Sequence, residues 1–205
     1  MEFVEFFQSG GPFMYAILAV LAAGVAISLE RFYYLGIVNR NTKKMWSQLV
    51  PMLRASDFKR ALQFVENNSS PLSLVLSYGL ARHVANKRRE IIEAAMEEGM
   101  QDAMPTLVQR THYLATFANI ATLLGLLGTI VGLIQAFTAV AAANPAEKAD
   151  LLSASISVAM NTTAFGLVAA IPLLLVHSYL VTKTSHVVDS LEKAAIKSLN
   201  IMITD

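Results

Sequence analysis

The residues of this sequence that could do chemistry are hydroxyl and amide side chains within long apolar stretches. The stretch from Thr111 to Ala146 contains no Asp, Glu, Lys or Arg, and the stretch from Leu151 to Thr182 contains none either. Hydroxyl and amide oxygens within a long apolar stretch can order water, pass on hydrogen bonds or coordinate an ion. The candidate residues for lining a polar path are Thr129, Asn161, Thr162 and Thr163.

The same stretches have a structural interpretation that competes with the functional one. A threonine in a helix can donate to the carbonyl one turn earlier, and small residues at helical spacing let two helices approach closely. We interpret the glycines as helix contacts, and leave the threonines open between packing and a polar lining. The predicted packing residues are Gly125, Gly128, Gly132, Gly166 and Pro172.

Other kinds of chemistry have little support in the sequence. There is no cysteine, and the four histidines lack metal-ligand spacing, so no metal site is predicted. No glycine-rich loop precedes a helix with Lys-Ser or Lys-Thr, and no nucleophile–base pair or paired carboxylate occurs at a plausible site. The basic run from Lys87 to Arg89 precedes acidic residues at helical spacing, which is typical of a solvated helix. We therefore expect no enzyme, no cofactor and no nucleic-acid partner.

Three apolar segments must position the candidate residues, and they predict the fold. A composition of 55% hydrophobic and 15% charged residues is too apolar for an ordinary soluble domain. The predicted fold class is an all-α membrane protein with three transmembrane helices and a cytoplasmic helical loop, the last two helices being long and extending beyond the bilayer. The predicted parts are an N-terminal periplasmic segment at 1–12, transmembrane helices at 13–30, 113–143 and 151–182, a cytoplasmic helical region at 31–112, a periplasmic turn at 144–150 and a cytoplasmic tail at 183–205.

The distribution of basic residues predicts the orientation. Residues 31–110 contain 12 Lys or Arg, the tail after Val181 contains three and the turn between the last two spans contains one, which accounts for all 16. Cytoplasmic loops carry the excess of Lys and Arg. The N-terminus and the 144–150 turn are therefore expected outside, and the large loop and the C-terminus in the cytoplasm.

Two motifs carry a resemblance to a known family. Residues 125–137, Gly-Leu-Leu-Gly-Thr-Ile-Val-Gly-Leu-Ile-Gln-Ala-Phe, and residues 161–172, Asn-Thr-Thr-Ala-Phe-Gly-Leu-Val-Ala-Ala-Ile-Pro, resemble the signature spans of the MotA/TolQ/ExbB proton-channel family. The first span, with its trailing residues 29–34, and the charged helical loop also fit. The resemblance covers nearly the whole chain, and the three-span ExbB/TolQ branch is closest in length.

The resemblance implies a function and partners. It implies a multi-pass protein of the bacterial inner membrane whose homopentamer encloses the single-span helices of two ExbD- or TolR-like subunits, in contact with membrane lipid. Such a complex uses ion flow to drive motion passed to a TonB-like protein or the cell envelope. Thr129 and Thr163 match the threonines of the family's ion path. Many relatives have a glutamate five residues before the second threonine, where this sequence has Val158, so the resemblance implies that the essential carboxylate is the partner's aspartate.

The sequence leaves two alternatives open. One concerns which ion drives the complex, and the other concerns whether the protein conducts an ion at all. Thr162 and Thr163 beside Asn161, with Thr129 expected opposite, would add oxygen ligands of the kind that sodium takes. A proton needs only a hydrogen-bonded carboxylate, so a proton is the prediction and sodium the alternative. The small-residue faces are expected to enclose an axial pore in the homo-oligomer. The alternative function is a non-conducting membrane scaffold that assembles partner proteins.

Overall fold

The chain folds into helices joined by short connections. The computed structural model describes residue 7 and residues 10–204, and no strand occurs among them. The prediction of an all-α fold is thereby confirmed. The predicted N-terminal segment lies mostly outside the described residues. The helices are α1 (Phe13–Arg54), α2 (Phe58–Glu66), α3 (Pro71–Ala85), α4 (Arg89–Val108), α5 (Thr111–Ala142) and α6 (Lys148–Thr204).

In the described part of the chain, three helical stretches are long and apolar enough to cross a membrane, as predicted. They are Phe13–Arg54, Arg89–Ala142 and Lys148–Ile203. The second stretch combines α4 and α5, which meet at Arg110, a non-glycine residue with a positive φ of 64°. A left-handed residue at this point ends one helix and starts the next.

Two helices are longer than their predicted spans. α1 has 42 residues and α6 has 57, so at 1.5 Å per residue they reach about 63 and 86 Å. The hydrocarbon layer is about 30 Å thick. α6 continues through the predicted tail because Val187, Leu191 and Leu199 recur at helical spacing and are buried.

One compact unit contains the described part of Met1–Leu29 together with Arg110–Tyr179. Its core is formed where α1, α5 and α6 meet, and the buried residues include Met14, Ile17, Leu114, Ala118, Ala121, Phe165, Ala169 and Leu173. The outer face of α5 instead exposes large apolar side chains, among them Leu123, Ile130, Ile134 and Phe137. Such a face suits contact with lipid or with further protein.

The second compact unit contains Glu30–Gln109 and Leu180–Asp205. Its short helices begin at capping residues: the Asp57 carboxylate accepts from the Arg60 N–H, and the Ser70 hydroxyl accepts from the Ser73 N–H. α3 packs closely on α4, where a methyl group added at Gly99 would lie 3.0 Å from the Cα of Val75. The predicted helical character of the loop is therefore observed.

Arg31 connects α1 to the end of α4 within this second unit. Its side chain is fully buried, and its Nη2 donates to the carbonyl oxygens of Thr106, at 3.2 Å, and Leu107. These carbonyls belong to the last turn of α4, where helical partners are missing and the helix dipole is negative. The guanidinium also lies 4.8 Å from the ring centroid of Tyr34. Arg31 is thus a buried cap of α4.

Candidate functional site

The candidate site lies where α5 contacts the first half of α6, and glycines set the distance between the two helices. A methyl group added at Gly125 would lie 3.2 Å from the Cα of Thr163 and 3.3 Å from the Cα of Gly166. One added at Gly132 would lie 3.0 Å from the Cβ of Ala159. Because these neighbours are backbone or Cβ atoms, they cannot rotate away, and the two helices approach this closely only with glycine.

Gly128 and Gly166 complete the contact. A methyl group at Gly128 would collide with the side-chain methyl of Thr162, and one at Gly166 would lie 2.8 Å from the carbonyl oxygen of Ala121. The structure therefore brings the four predicted packing glycines together in one contact within a single chain. Pro172 lies elsewhere: it is an exposed residue inside α6, where it removes one backbone donor.

Thr163 crosses the contact with its hydroxyl group. Its Oγ1 donates to the carbonyl oxygen of Gly125 at 2.8 Å, and the side chain is only partly buried. A hydroxyl has one proton and two acceptor lone pairs. With its proton directed at α5, the Thr163 oxygen keeps the capacity to accept a hydrogen bond from water.

Thr162 has a different environment from its neighbour. Its side chain is 1% exposed, and its Oγ1 lies 2.6 Å from the carbonyl oxygen of Gly10 and 3.0 Å from that of Val158. The single hydroxyl proton is therefore shared between the N-terminal segment and the helix's own backbone. Thr162 packs against Gly128 and connects α6 to the residues before α1.

The described residues Phe7, Gly10 and Gly11 lie along one stripe of α6 around Thr162. The ring of Phe7 lies 5.6 Å from that of Phe165 in an edge-to-face arrangement. On the other side of Thr162, a methyl group at Gly11 would be 3.8 Å from Val158. Val158, Thr162 and Phe165 lie on one helical face. Gly11 thus partly covers Val158, the position at which the family resemblance implies a glutamate in many relatives.

Thr129 does not bond across the contact. Its Oγ1 donates to the carbonyl oxygen of Leu126 in its own helix at 2.6 Å, and the side chain is partly exposed. The α5 residues directly against Thr162 and Thr163 are Gly128 and Gly125. Asn161 is partly buried and precedes Thr162 on α6. The threonines therefore have three different environments within one chain.

The chemistry of this contact is that of hydroxyls, an amide and backbone carbonyls. Neither α5 nor residues 151–182 contain Asp or Glu, and among the described residues no three His, Cys, Asp or Glu side chains are grouped to hold a metal ion. Hydroxyls can order water and pass hydrogen bonds, but they do not take up and release a proton near neutral pH. A proton relay through these two spans therefore needs a carboxylate that the α5–α6 contact does not supply.

Two functional features were not found from the sequence. The Thr162–Gly10 bond and the Arg31 cap join residues 152 and 76 positions apart. The sequence contains one sign that the chain turns near Gly10, which bonds to Thr162: Gly10-Gly11-Pro12 is a turn-forming sequence that precedes α1. Arg31 follows the first apolar run and Glu30, a position typical of a membrane interface, and nothing in this pattern predicts its burial.

Comparisons with known proteins agree with these observations. The family model described as "MotA/TolQ/ExbB proton channel family" matches residues 67–193. A biopolymer transport protein ExbB homolog of Methanothermobacter thermautotrophicus is 29% identical over 191 residues, which cover 92% of this chain and 66% of that protein. This chain therefore spans slightly less than two thirds of that relative's length. The ExbB-like 3 protein of Synechocystis is 26% identical over 82% of this chain and 80% of its own. The Tol-Pal system protein TolQ of Haemophilus influenzae is 35% identical over 42% of this chain and 37% of its own.

Proposed function

The chain belongs to the MotA/TolQ/ExbB proton channel family and is a multi-pass inner-membrane protein, and from this premise we propose that it is the ion-channel subunit of an envelope motor. In this proposal an ExbB/ExbD- or TolQ/TolR-like complex converts ion-motive force into mechanical work on a TonB-like or cell-envelope partner. The subunit acts as a channel component and not as an enzyme. The N-terminus and the 144–150 turn are periplasmic, and the C-terminus is cytoplasmic.

The observation that carries the proposal is the Thr163–Gly125 bond within an acid-free pair of spans. The Thr163 oxygen keeps acceptor capacity, and neither α5 nor residues 151–182 offer a competing carboxylate. A hydroxyl in such a place can hold water beside an acid that belongs to another chain. The acid is the aspartate of an ExbD- or TolR-like single-span subunit, enclosed by a homo-oligomer of this chain, which we propose to be a pentamer.

The coupling ion in this proposal is the proton. Sodium is held by several oxygen ligands, and the pair Thr162-Thr163 could have provided two of them. Thr162, however, is 1% exposed, and its oxygen lies between the carbonyls of Gly10 and Val158. Its burial supports a packing role, which leaves fewer hydroxyls for a sodium ion than the sequence suggested.

Proteoliposomes test the channel function. The purified chain is reconstituted alone and with an ExbD- or TolR-like subunit, and proton flux is followed with a pH-sensitive dye under an imposed potential. We expect flux only when the partner is present and its aspartate intact, because this chain has no acid in its last two spans. A partner in which the aspartate is changed to asparagine serves as the matched control.

A non-conducting scaffold is the second candidate function. Its support is that Gly125, Gly128, Gly132 and Gly166 all lie in the contact between α5 and α6, as residues that serve only assembly would. The two functions differ at Thr163. A scaffold tolerates Thr163→Val with its assembly and its function intact, and it shows no flux with any partner.

A further inference from the structure

A basic groove runs between α1 and α6 in the second unit. It has a volume of about 200 Å³, and its charged residues are Lys43, Lys193 and Lys197, here called the lysine face. All three lysines are exposed, and none makes an ion pair with the residues that the structure describes. Trp46, the one tryptophan of the chain, also lines this groove and is partly exposed.

An acidic groove runs between α4 and the same part of α6. It has a volume of about 250 Å³, and its charged residues are Glu93, Glu97 and Glu192, here called the glutamate face. Glu93 lies 3.6 Å from Arg89 in an exposed pair, whereas Glu97 and Glu192 make no ion pair within the described part of the chain. Ile196 lies in this groove with 57% of its surface exposed.

Both grooves use the same turns of α6. Residues 190, 193, 194 and 197 line the basic groove, and residues 192, 195, 196 and 199 line the acidic one. At 100° per residue these two sets project from opposite sides of the helix. The two faces therefore lie at the same height along α6 and point in different directions.

This arrangement fits a contact between identical chains in a ring. A head-to-tail ring requires two different, complementary surfaces on each copy. Rotation about the ring axis leaves height along that axis unchanged, so with α6 along the axis the two surfaces must lie at equal height. The lysine and glutamate faces meet this requirement, with three charges of each sign.

We propose that the lysine face of one copy of this chain binds the glutamate face of the next copy. The inference rests on the homo-oligomer in the proposed function and adds the cytoplasmic surfaces that hold neighbours in register. Exposed ion pairs contribute modestly to affinity, but they set orientation and exclude wrong partners. Ile196 and Trp46 supply apolar area at the two faces, and such area contributes more to affinity than charge does.

Cross-linking tests the contact directly, because the chain has no cysteine of its own. Lys197→Cys and Glu97→Cys are combined in one chain, and the assembled protein is treated with a short bismaleimide. We expect a ladder of covalent species from dimer to the full ring, since each link joins two copies. The single variants are the controls and should give no ladder. A double variant that stays monomeric on a denaturing gel, although native mass spectrometry shows an oligomer, overturns the proposal.

Charge reversal gives an independent test. Lys193→Glu with Lys197→Glu places acid against acid, and we expect the subunit concentration for half-assembly to rise about tenfold. Adding Glu97→Lys and Glu192→Lys to the same chain restores complementary faces and should restore assembly. Reversal of Lys59 and Arg60, exposed residues of α2 outside both faces, is the matched control and should change nothing.

The failure of this inference can be told apart from failure of the proposed assembly. A wild-type chain that is monomeric by native mass spectrometry overturns both. A wild-type oligomer whose assembly is unchanged by Lys193→Glu with Lys197→Glu overturns only the contact between the two faces. High salt offers a further check, because it screens exposed charges. It should reduce the difference in assembly between wild type and the variant with Lys193→Glu and Lys197→Glu.

Discussion

The Thr163 hydroxyl donates a hydrogen bond across the α5–α6 contact to the carbonyl oxygen of Gly125, 2.8 Å away. Hydrogen bonds between helices in membranes contribute only about 0.6 kcal/mol on average. Removing this bond should therefore have little effect on the packing of two helices whose closest contacts are made by glycines. Its larger effect is expected on water held at the Thr163 oxygen.

The first prediction separates packing from conduction at Thr163. Thr163→Val keeps the shape of the side chain and removes the hydroxyl, so we expect near-normal assembly and a fall in ion flux of about tenfold, which is less than the roughly hundredfold or greater loss for a preorganised donor at a reacting centre. Thr163→Ser keeps the hydroxyl and should retain most of the flux. Flux in proteoliposomes and oligomer mass are measured on the same samples. Wild-type flux in the valine variant would contradict the proposed role.

The second prediction concerns Thr162 and the coupling ion. Because its hydroxyl is buried and bonded within the chain, Thr162→Val should reduce flux less than Thr163→Val does. Flux should follow the pH gradient and be the same with external sodium or potassium. A wild-type flux that requires sodium, and that loses this requirement in Thr162→Val, would show that the ion is sodium.

The third prediction uses two glycines with opposite surroundings. Gly166→Ala places a methyl group 2.8 Å from the Ala121 carbonyl oxygen, so the helices must separate, and we expect a loss of about 1–3 kcal/mol in stability. Gly36→Ala is the matched control: apart from the adjoining backbone of its own helix, no described atom lies within 4 Å of its added methyl group. Alanine in a helix is favoured over glycine by about 0.8–1.0 kcal/mol, so this control should be stabilised. The variants are compared by their thermal unfolding midpoints in one detergent. Gly132→Leu should lower the midpoint more than Gly166→Ala does.

The fourth prediction concerns the buried cap of α4. Arg31→Met keeps much of the apolar stem and removes the donors to Thr106 and Leu107, which leaves carbonyls of the last turn unpaired. An unsatisfied buried polar group costs about 1–3 kcal/mol. Hydrogen exchange should quicken at the end of α4 and the unfolding midpoint should fall. Arg89→Met removes only the exposed pair with Glu93 and should change stability by less than about 0.5 kcal/mol. Equal effects of the two variants would argue against the cap.

The fifth prediction is a pH dependence at His83. Burial, and secondly the charge of Lys87, lower the pKa of His83. The side chain is 3% exposed and lies 4.3 Å from the ring of Phe58, and the described residues offer neither ring nitrogen a hydrogen-bond partner. In the unfolded chain the pKa of His83 is about 6.5. As the pH falls, His83 therefore takes up a proton at a higher pH in the unfolded chain than in the folded one. Stability falls as the pH drops through about 6.5, by at most about 1.4 kcal/mol per pH unit, and levels off below the folded pKa.

His83→Leu tests this dependence, because leucine does not titrate. Relative to wild type, the variant should lose less stability between about pH 7.5 and pH 5.5. His186→Leu, at an exposed position of α6, is the matched control for replacing a histidine by leucine. Parallel profiles for wild type and His83→Leu would assign the pH dependence to other groups.

The sequence predicted the helical fold and the three spans because uncharged stretches of this length have few alternatives. It placed the end of the first span near residue 30, whereas α1 continues to Arg54 without a break. No strong breaker occurs between Arg31 and Ser56 except Pro51, which lies in the last turns of α1. A change from apolar to charged residues therefore indicates a change of surroundings and not the end of a helix.

The candidate site was predictable in composition but not in pairing. Helical spacing put Gly125, Gly128 and Gly132 on one face, and the structure places that face against α6. Spacing within one helix does not tell which residue of another helix lies opposite, so the pairing of Gly128 with Thr162 and of Gly125 with Thr163 was not predicted. It likewise could not tell that Gly10 approaches Thr162. The roles of Thr129, Asn161, Thr162 and Thr163 in an ion path remain predictions.

The hydroxyl proton of Thr162 has two acceptors within reach, the carbonyl oxygens of Gly10 and Val158. When Gly10 moves away, the hydroxyl can direct its proton wholly to the carbonyl of Val158, which already lies 3.0 Å away. The buried oxygen is then never left without an acceptor, so detachment avoids the usual penalty of an unsatisfied buried donor. Separation of Gly10 from Thr162 would therefore leave no unsatisfied donor on α6, and its energetic cost would lie in the packing of Phe7 on Phe165 and of Gly11 on Val158.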